Sequence, residues 1–185
     1  MLINRDREKL LHSVAFFAKN VEKCGKIKLF KLLYFLDFEH YKLTGRNVTG
    51  MDYFAWQMGP VPVELFDEIN SPEPDMAEIL SFKEIPVYQG KNTMLKVETK
   101  KDFDSSYFTK RELKIMNDLV AAYRDTLADD MIEATHLENL PWHQIYNIEN
   151  NKRGLIPYDL AFRRQEYDEM KRIAQDRLEV IEKLS

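Results

Sequence analysis

Residues 26–41 read KIKLFKLLYFLDFEHY, and this stretch decides the fold. Ile27, Leu29, Phe30, Leu32, Leu33, Phe35, Leu36 and Phe38 do not keep to one stripe of a helical wheel. A helix that is apolar nearly all round has to be covered nearly all round. The stretch is therefore read as the central, buried helix of the fold. Gly45 closes it just past the last turn. Its longest apolar run, 32–36, sits between Lys31 and Asp37. That is far short of the ~20 apolar residues a membrane helix needs.

On the N-terminal side, residues 5–21 place Leu10, Leu11, Val14, Phe17, Ala18 and Val21 at helical spacing, and Gly25 ends the segment. On the C-terminal side comes YFAWQMGPVP, residues 53–62, where Pro60 and Pro62 exclude a helix interior. Its alternation buries one side. Phe54 and Trp56 are expected in the core, and Tyr53 and Met58 nearer the surface. Residues 61–69 fit a short helix, stopped by the SPEP of 71–74.

Residues 85–88 and 93–98 flank a four-residue loop and read as a hairpin, with Pro86 marking an edge strand. Residues 103–108 could add a third strand. Thr109 and Glu112 form a capping box for a helix whose apolar face is Leu113, Met116, Leu119, Val120 and Tyr123. Residues 128–136 continue helical, Pro141 starts another turn, 150–154 are a polar linker, and 158–184 read as a long terminal helix. The expected fold is α+β: mostly helical, a central buried helix, and an inserted antiparallel hairpin or three-stranded sheet. The expected organisation is one domain over 1–150, with a linker and helix over 151–185 packed on it.

The chain has 185 residues and a net charge of -4. A chain this long buries enough surface to fold without a disulfide or metal. The charge is uneven: residues 1–60 hold ten Lys/Arg and six Asp/Glu, the remainder 17 and 25. An acidic whole counts against nonspecific nucleic-acid binding. The N-terminal residues do not resemble an export signal, and the lone cysteine, Cys24, fits a reducing compartment. A cytoplasmic protein is expected.

Six glycines form no phosphate-binding pattern, so no cofactor is expected. His136 and His143 are seven apart, but Pro141 interrupts them, and no metal-ligand spacing exists. They are read as polar contacts at a helix corner. Cys24 lies among lysines, yet has no histidine beside it in sequence, and is read as a small buried thiol. Asp37, His40 and Tyr41 are open to two readings: an acid–base cluster, or a polar patch that fixes the end of the buried helix. Lys26, Lys28 and Lys31 stand at a helix N-terminus against its dipole, at ~0.3–1 kcal/mol each. They are read as a solvated rim or as a contact surface for an acidic partner.

Two segments together resemble the Panacea antitoxin domain, whose members include SocA-type antitoxins and phage-associated relatives. The first is residues 28–41 followed by Gly45. The second is TGMDYFAWQMGPVPVEL, residues 49–65, with the family's Gly-Pro-Val turn. A His-x(5)-Trp element, His136 to Trp142, is similar to a weaker C-terminal motif. The resemblance covers about residues 8–145 and places Tyr34, Asp37, Trp56, Gly59, Pro60, His136 and Trp142 on family positions. It implies a protein that neutralises a cognate toxin by direct binding, with Lys26, Lys28, Lys31, Tyr53 and Met58 as candidate contacts. Some members deliver the toxin to a protease, so a proteolytic adaptor is an alternative. A DNA-binding autoregulator is another. No catalytic constellation emerges from the residues themselves.

Overall fold

The computed structural model describes residues 5–87, 92–137 and 140–162, together with 175–176, 179 and 183. Helix α1 spans Asp6–Asn20 and helix α2 spans Lys26–Thr44. Leu29, Leu32, Leu33 and Leu36 of α2 are fully buried, as the all-round apolar pattern requires. Truncating any one of them to alanine would cost about 2–5 kcal/mol. Gly45 ends α2 in the left-handed conformation, φ 69°, and donates its backbone N–H to Tyr41 O. The helix runs one turn further than the quoted stretch before this cap.

Strands β1 (Phe54–Trp56) and β2 (Gly59–Val61) form a small antiparallel hairpin, in register Phe54↔Val61 and Trp56↔Gly59. Helix α3, Val63–Glu68, follows directly, so the helix expected over 61–69 starts later because Val61 belongs to β2. A second short helix, α4, covers Pro74–Ile79, with Pro74 at its first position where a missing N–H costs nothing. It leads into β3 (Leu80–Val87), which pairs with β4 (Asn92–Thr99) from Leu80↔Thr99 to Val87↔Asn92. The expected hairpin exists and is several residues longer on the N-terminal side.

The third strand does not form. Ser105–Tyr107 is a 3-10 turn, held by the Asp104 side chain accepting from the Ser106 N–H at 2.8 Å. Phe103 and Phe108 still serve the core, with Phe103 5.0 Å from Phe16 and 5.5 Å from Phe108.

Helix α5, Lys110–Tyr123, carries the predicted capping box complete. Thr109 Oγ1 accepts from the Glu112 N–H, and Glu112 Oε2 accepts from the Thr109 N–H at 2.6 Å. Lys9 binds the other Glu112 oxygen at 2.6 Å and ties α1 to α5. Helix α6 is Ala128–His136, and α7, Pro141–His143, runs on as a wide π turn over Gln144–Ile148.

Residues beyond the polar turn lie along β1. The Ala55 N–H donates to Gly154 O, the Arg153 N–H to Ala55 O and the Ile156 N–H to Tyr53 O, each at 2.8 Å. Tyr158–Ala161 is a 3-10 turn rather than the start of an α-helix. Tyr158 stacks on Phe38 at 4.6 Å and on Tyr41 at 5.1 Å. Most of the expected terminal helix lies outside the described residues. Around α2 are packed α1, α5, α6, the β1–β2 hairpin, β4 and this last turn.

Candidate functional site

Among the buried polar side chains of helix α2, Lys28, Lys31, Tyr34 and Asp37 are four at a spacing of three, ahead of His40 and Thr44. Three helical residues fall about 60° short of a full turn. The four therefore face different neighbours, and each has to be satisfied separately.

Asp37 fastens the chain that returns after Gly45. Its Oδ1 accepts from the Val48 and Thr49 N–H groups at 2.7 and 2.8 Å. Its Oδ2 accepts from the Thr49 hydroxyl at 2.5 Å and the Tyr53 hydroxyl at 2.7 Å. Burial pushes this carboxyl up to about 6, while the four donors pull it down. It is ionised at neutral pH. His40 and Tyr41 do not join it. His40 Nδ1 lies 2.7 Å from Arg46 O, and the Tyr41 ring stacks on Tyr158. The polar-patch reading of these residues is the one the geometry follows.

Tyr53 is thus a correction. Expected near the surface, it is fully buried, with its phenol on Asp37. Ala55 is buried beside it, whereas Phe54 and Trp56 are half-buried. The alternation was sound but its parity was reversed, and a one-residue shift exchanges the two faces of a strand.

Lys28 and Lys31 are a second correction, since each is only 1% exposed and neither forms a rim. Lys28 Nζ donates to Glu22 O, Arg124 O and Thr126 O at 3.0, 3.0 and 2.6 Å. All three of its hydrogens are used, and the start of α2 is stapled to the α5–α6 connection. Lys31 Nζ has one such bond, to Pro60 O at 3.1 Å. Burial brings Lys31 down to about 7, with no carboxylate among the described residues offsetting it. Lys26 is half-buried, with its ammonium 4.0 Å over the Phe66 ring.

Gly59 explains the Gly-Pro turn. Its φ is +99°, and a Cβ there would stand 2.7 Å from Lys31 Cε and Nζ and 2.8 Å from Thr135 Oγ1. Gly59→Ala is expected to cost about 1–3 kcal/mol in chemical denaturation. An unchanged midpoint would mean that Lys31 and Thr135 retreat freely.

The aromatic residues meet at the same corner. His136 stacks on Trp142 with centroids 3.7 Å apart and 9° between planes. Trp142 Nε1 donates to Trp56 O at 2.9 Å, and its ring stacks on Tyr146 at 4.6 Å. Arg153 lies 4.9 Å over the Trp56 ring. His143 lies on α7 and not on the helix of His136. Burial raises Cys24 to about 12, as for an inert thiol. Among the described residues no three metal-ligating side chains cluster, and no helix is long and apolar enough to cross a membrane.

The model of the antitoxin SocA-like, Panacea domain family matches residues 29–143. The chain belongs to this family. Comparison with curated proteins and with solved structures returned no match. In this Panacea domain the matched span contains Lys31, Tyr34 and Asp37, the Gly59-Pro60 turn, His136 and Trp142. All but Asp37 gather at the corner between α2, α6 and the β1–β2 hairpin. Asp37 fastens the loop that follows α2, and Tyr53 links it to Tyr34, its phenol on Asp37 and its ring 5.5 Å from the Tyr34 ring. Sequence reasoning missed that the lysines belong inside. Their one available signal was position, for both sit within a run that is otherwise apolar on every side.

Proposed function

We propose that this Panacea domain is an antitoxin that neutralises a cognate protein toxin by binding it directly. The observation that carries the reading is the family match over residues 29–143. The surface supports it. Among the described residues, Met58, Leu137, Ile148 and Leu155 are four of the six large apolar side chains that stand most exposed. All four lie on or next to the β1–β2 hairpin and the segments packed against it. Arg153 and Lys152 sit over Trp56 and Tyr146 in the same region. Methionine, aromatic residues and arginine at one place are the composition of an interface core.

Of the five expected contacts, Met58 and Lys26 keep this role as surface residues. Tyr53 and Lys28 act on the surface only through the segments they hold. Co-expression with the product of the neighbouring gene is the test: relief of toxicity and co-purification are expected, and failure of both rejects the reading. Met58→Asp is expected to weaken co-purification while changing stability by no more than about 0.5 kcal/mol. Unimpaired co-purification would move the interface elsewhere.

A further inference from the structure

We propose that Lys31, Tyr34 and His136 form a receptor for one carboxylate, or a comparable oxyanion, in the corner between α2, α6 and the β1–β2 hairpin. Buried polar atoms in native proteins nearly always have partners, and each exception calls for an explanation. Two such exceptions occur here together, beside an ammonium with a single partner. Tyr34 Oη and His136 Nε2 are buried without a hydrogen-bond partner. Among the described residues, Lys31 Nζ donates only to Pro60 O and faces no acid. Lys28, one turn earlier on the same helix, is the internal comparison, because its ammonium is satisfied three times over.

Contacts through Thr135 and Trp142 place the three residues at one corner. Lys31 Nζ and Thr135 Oγ1 both lie within 2.8 Å of the point where a Gly59 Cβ would stand. His136 follows Thr135, and the Lys31 charge lowers its proton affinity further. The Trp142 ring stacks on His136, and the Trp142 backbone lies beside Tyr34. Tyr34 lies one turn along α2 from Lys31, which closes the circuit.

The ammonium and the phenol offer hydrogens, and the imidazole offers a third as its Nε2–H tautomer, so one acceptor satisfies all three. The uncompensated cation selects a negative one, and charge-assisted bonds are the strong kind. His136 is the least buried of the three and marks the side of entry, with exposed Leu137 next to it in the chain. The carboxylate is free in solution or is carried by a bound protein. The second source rests on the antitoxin reading above, and the first does not.

The test uses the full chain with carbon-labelled lysine, followed by NMR. The Lys31 ε-CH2 signal is assigned by its loss in Lys31→Met. Sodium formate is titrated against sodium chloride at equal ionic strength. A saturable shift of that signal is expected, weakened roughly tenfold by Tyr34→Phe, which removes one hydroxyl and keeps the ring. The second arm adds the neighbouring gene's product. A shift that formate reverses assigns the carboxylate to the partner, and a formate response without one assigns it to a free small acid. No saturable shift in either arm, or an unchanged affinity in Tyr34→Phe, overturns the proposal. A partner that does not bind at all rejects the antitoxin reading and leaves the formate titration to decide.

Discussion

Asp37→Ala is expected to lose about 3–5 kcal/mol of stability in chemical denaturation at neutral pH, enough to unfold many domains of this size. The substitution strands the Val48 and Thr49 amides and the Thr49 and Tyr53 hydroxyls, all buried and all aimed at one carboxylate. Asp37→Asn keeps the shape. Its carbonyl accepts from the two amides, and its NH2 donates to the two hydroxyl oxygens, so a loss of at most about 1.5 kcal/mol is expected. Equal losses in both variants would mean that charge, not hydrogen bonding, fastens the loop. The pH dependence carries a sign. The folded carboxyl titrates at about 6, above its unfolded value near 4, so the folded state holds the proton more tightly. Stability linked to Asp37 is therefore fullest below about 4 and declines as pH rises to about 6, and Asp37→Asn removes that slope.

The second large effect is a contrast between two lysines three residues apart. Lys28→Met leaves three carbonyls without their donor and is expected to destabilise by about 2–4 kcal/mol. Lys31→Met removes a buried cation with one weak bond and replaces it by an apolar chain of similar length. It is expected to be neutral or stabilising by up to a few kcal/mol, because an unpaired buried charge costs more than it returns. The folded Lys31 titrates at about 7 and the unfolded one near 10.4, so the folded state gives up its proton first. The penalty is full below about pH 7 and fades as pH rises towards 10. The gain from Lys31→Met, measured against the unsubstituted chain, should shrink over that window. A gain that stays constant with pH would assign it to packing.

Much of the fold was legible. The burial of α2 followed from eight apolar residues that no single stripe could hold. The capping box at Thr109 and the glycine after Thr44 are local chemistry, and local chemistry reads directly from sequence. What failed was decided by distant atoms. Nothing near Lys28 in sequence says that Arg124 O and Thr126 O will meet its ammonium, so a lysine at a helix start reads as solvent-facing. Tyr53 and Phe54 alternate correctly in either parity, and only Asp37, 16 residues earlier, chooses between them. Strands β1 and β2 are three residues each, too short for periodicity to register. Residues 103–108 carry strand-like aromatics, yet the Asp104 side chain captures the Ser106 N–H and closes a turn instead.

The candidate site was half legible for the same reason. The family motifs located Tyr34, Gly59, Pro60, His136 and Trp142, but not the polar atoms they leave without partners. Natural proteins keep destabilising groups chiefly where function needs them. By that criterion Lys28 and Asp37 belong to the scaffold, and Lys31 is the residue our proposal assigns to binding.

One measurement separates these roles most directly: thermal unfolding and partner co-purification of Lys31→Met, from the same preparation. The expected result is a Tm equal to or above that of the unsubstituted chain, with co-purification lost. A Tm several degrees lower, with the partner still bound, would place Lys31 in the scaffold beside Lys28 and contradict the division.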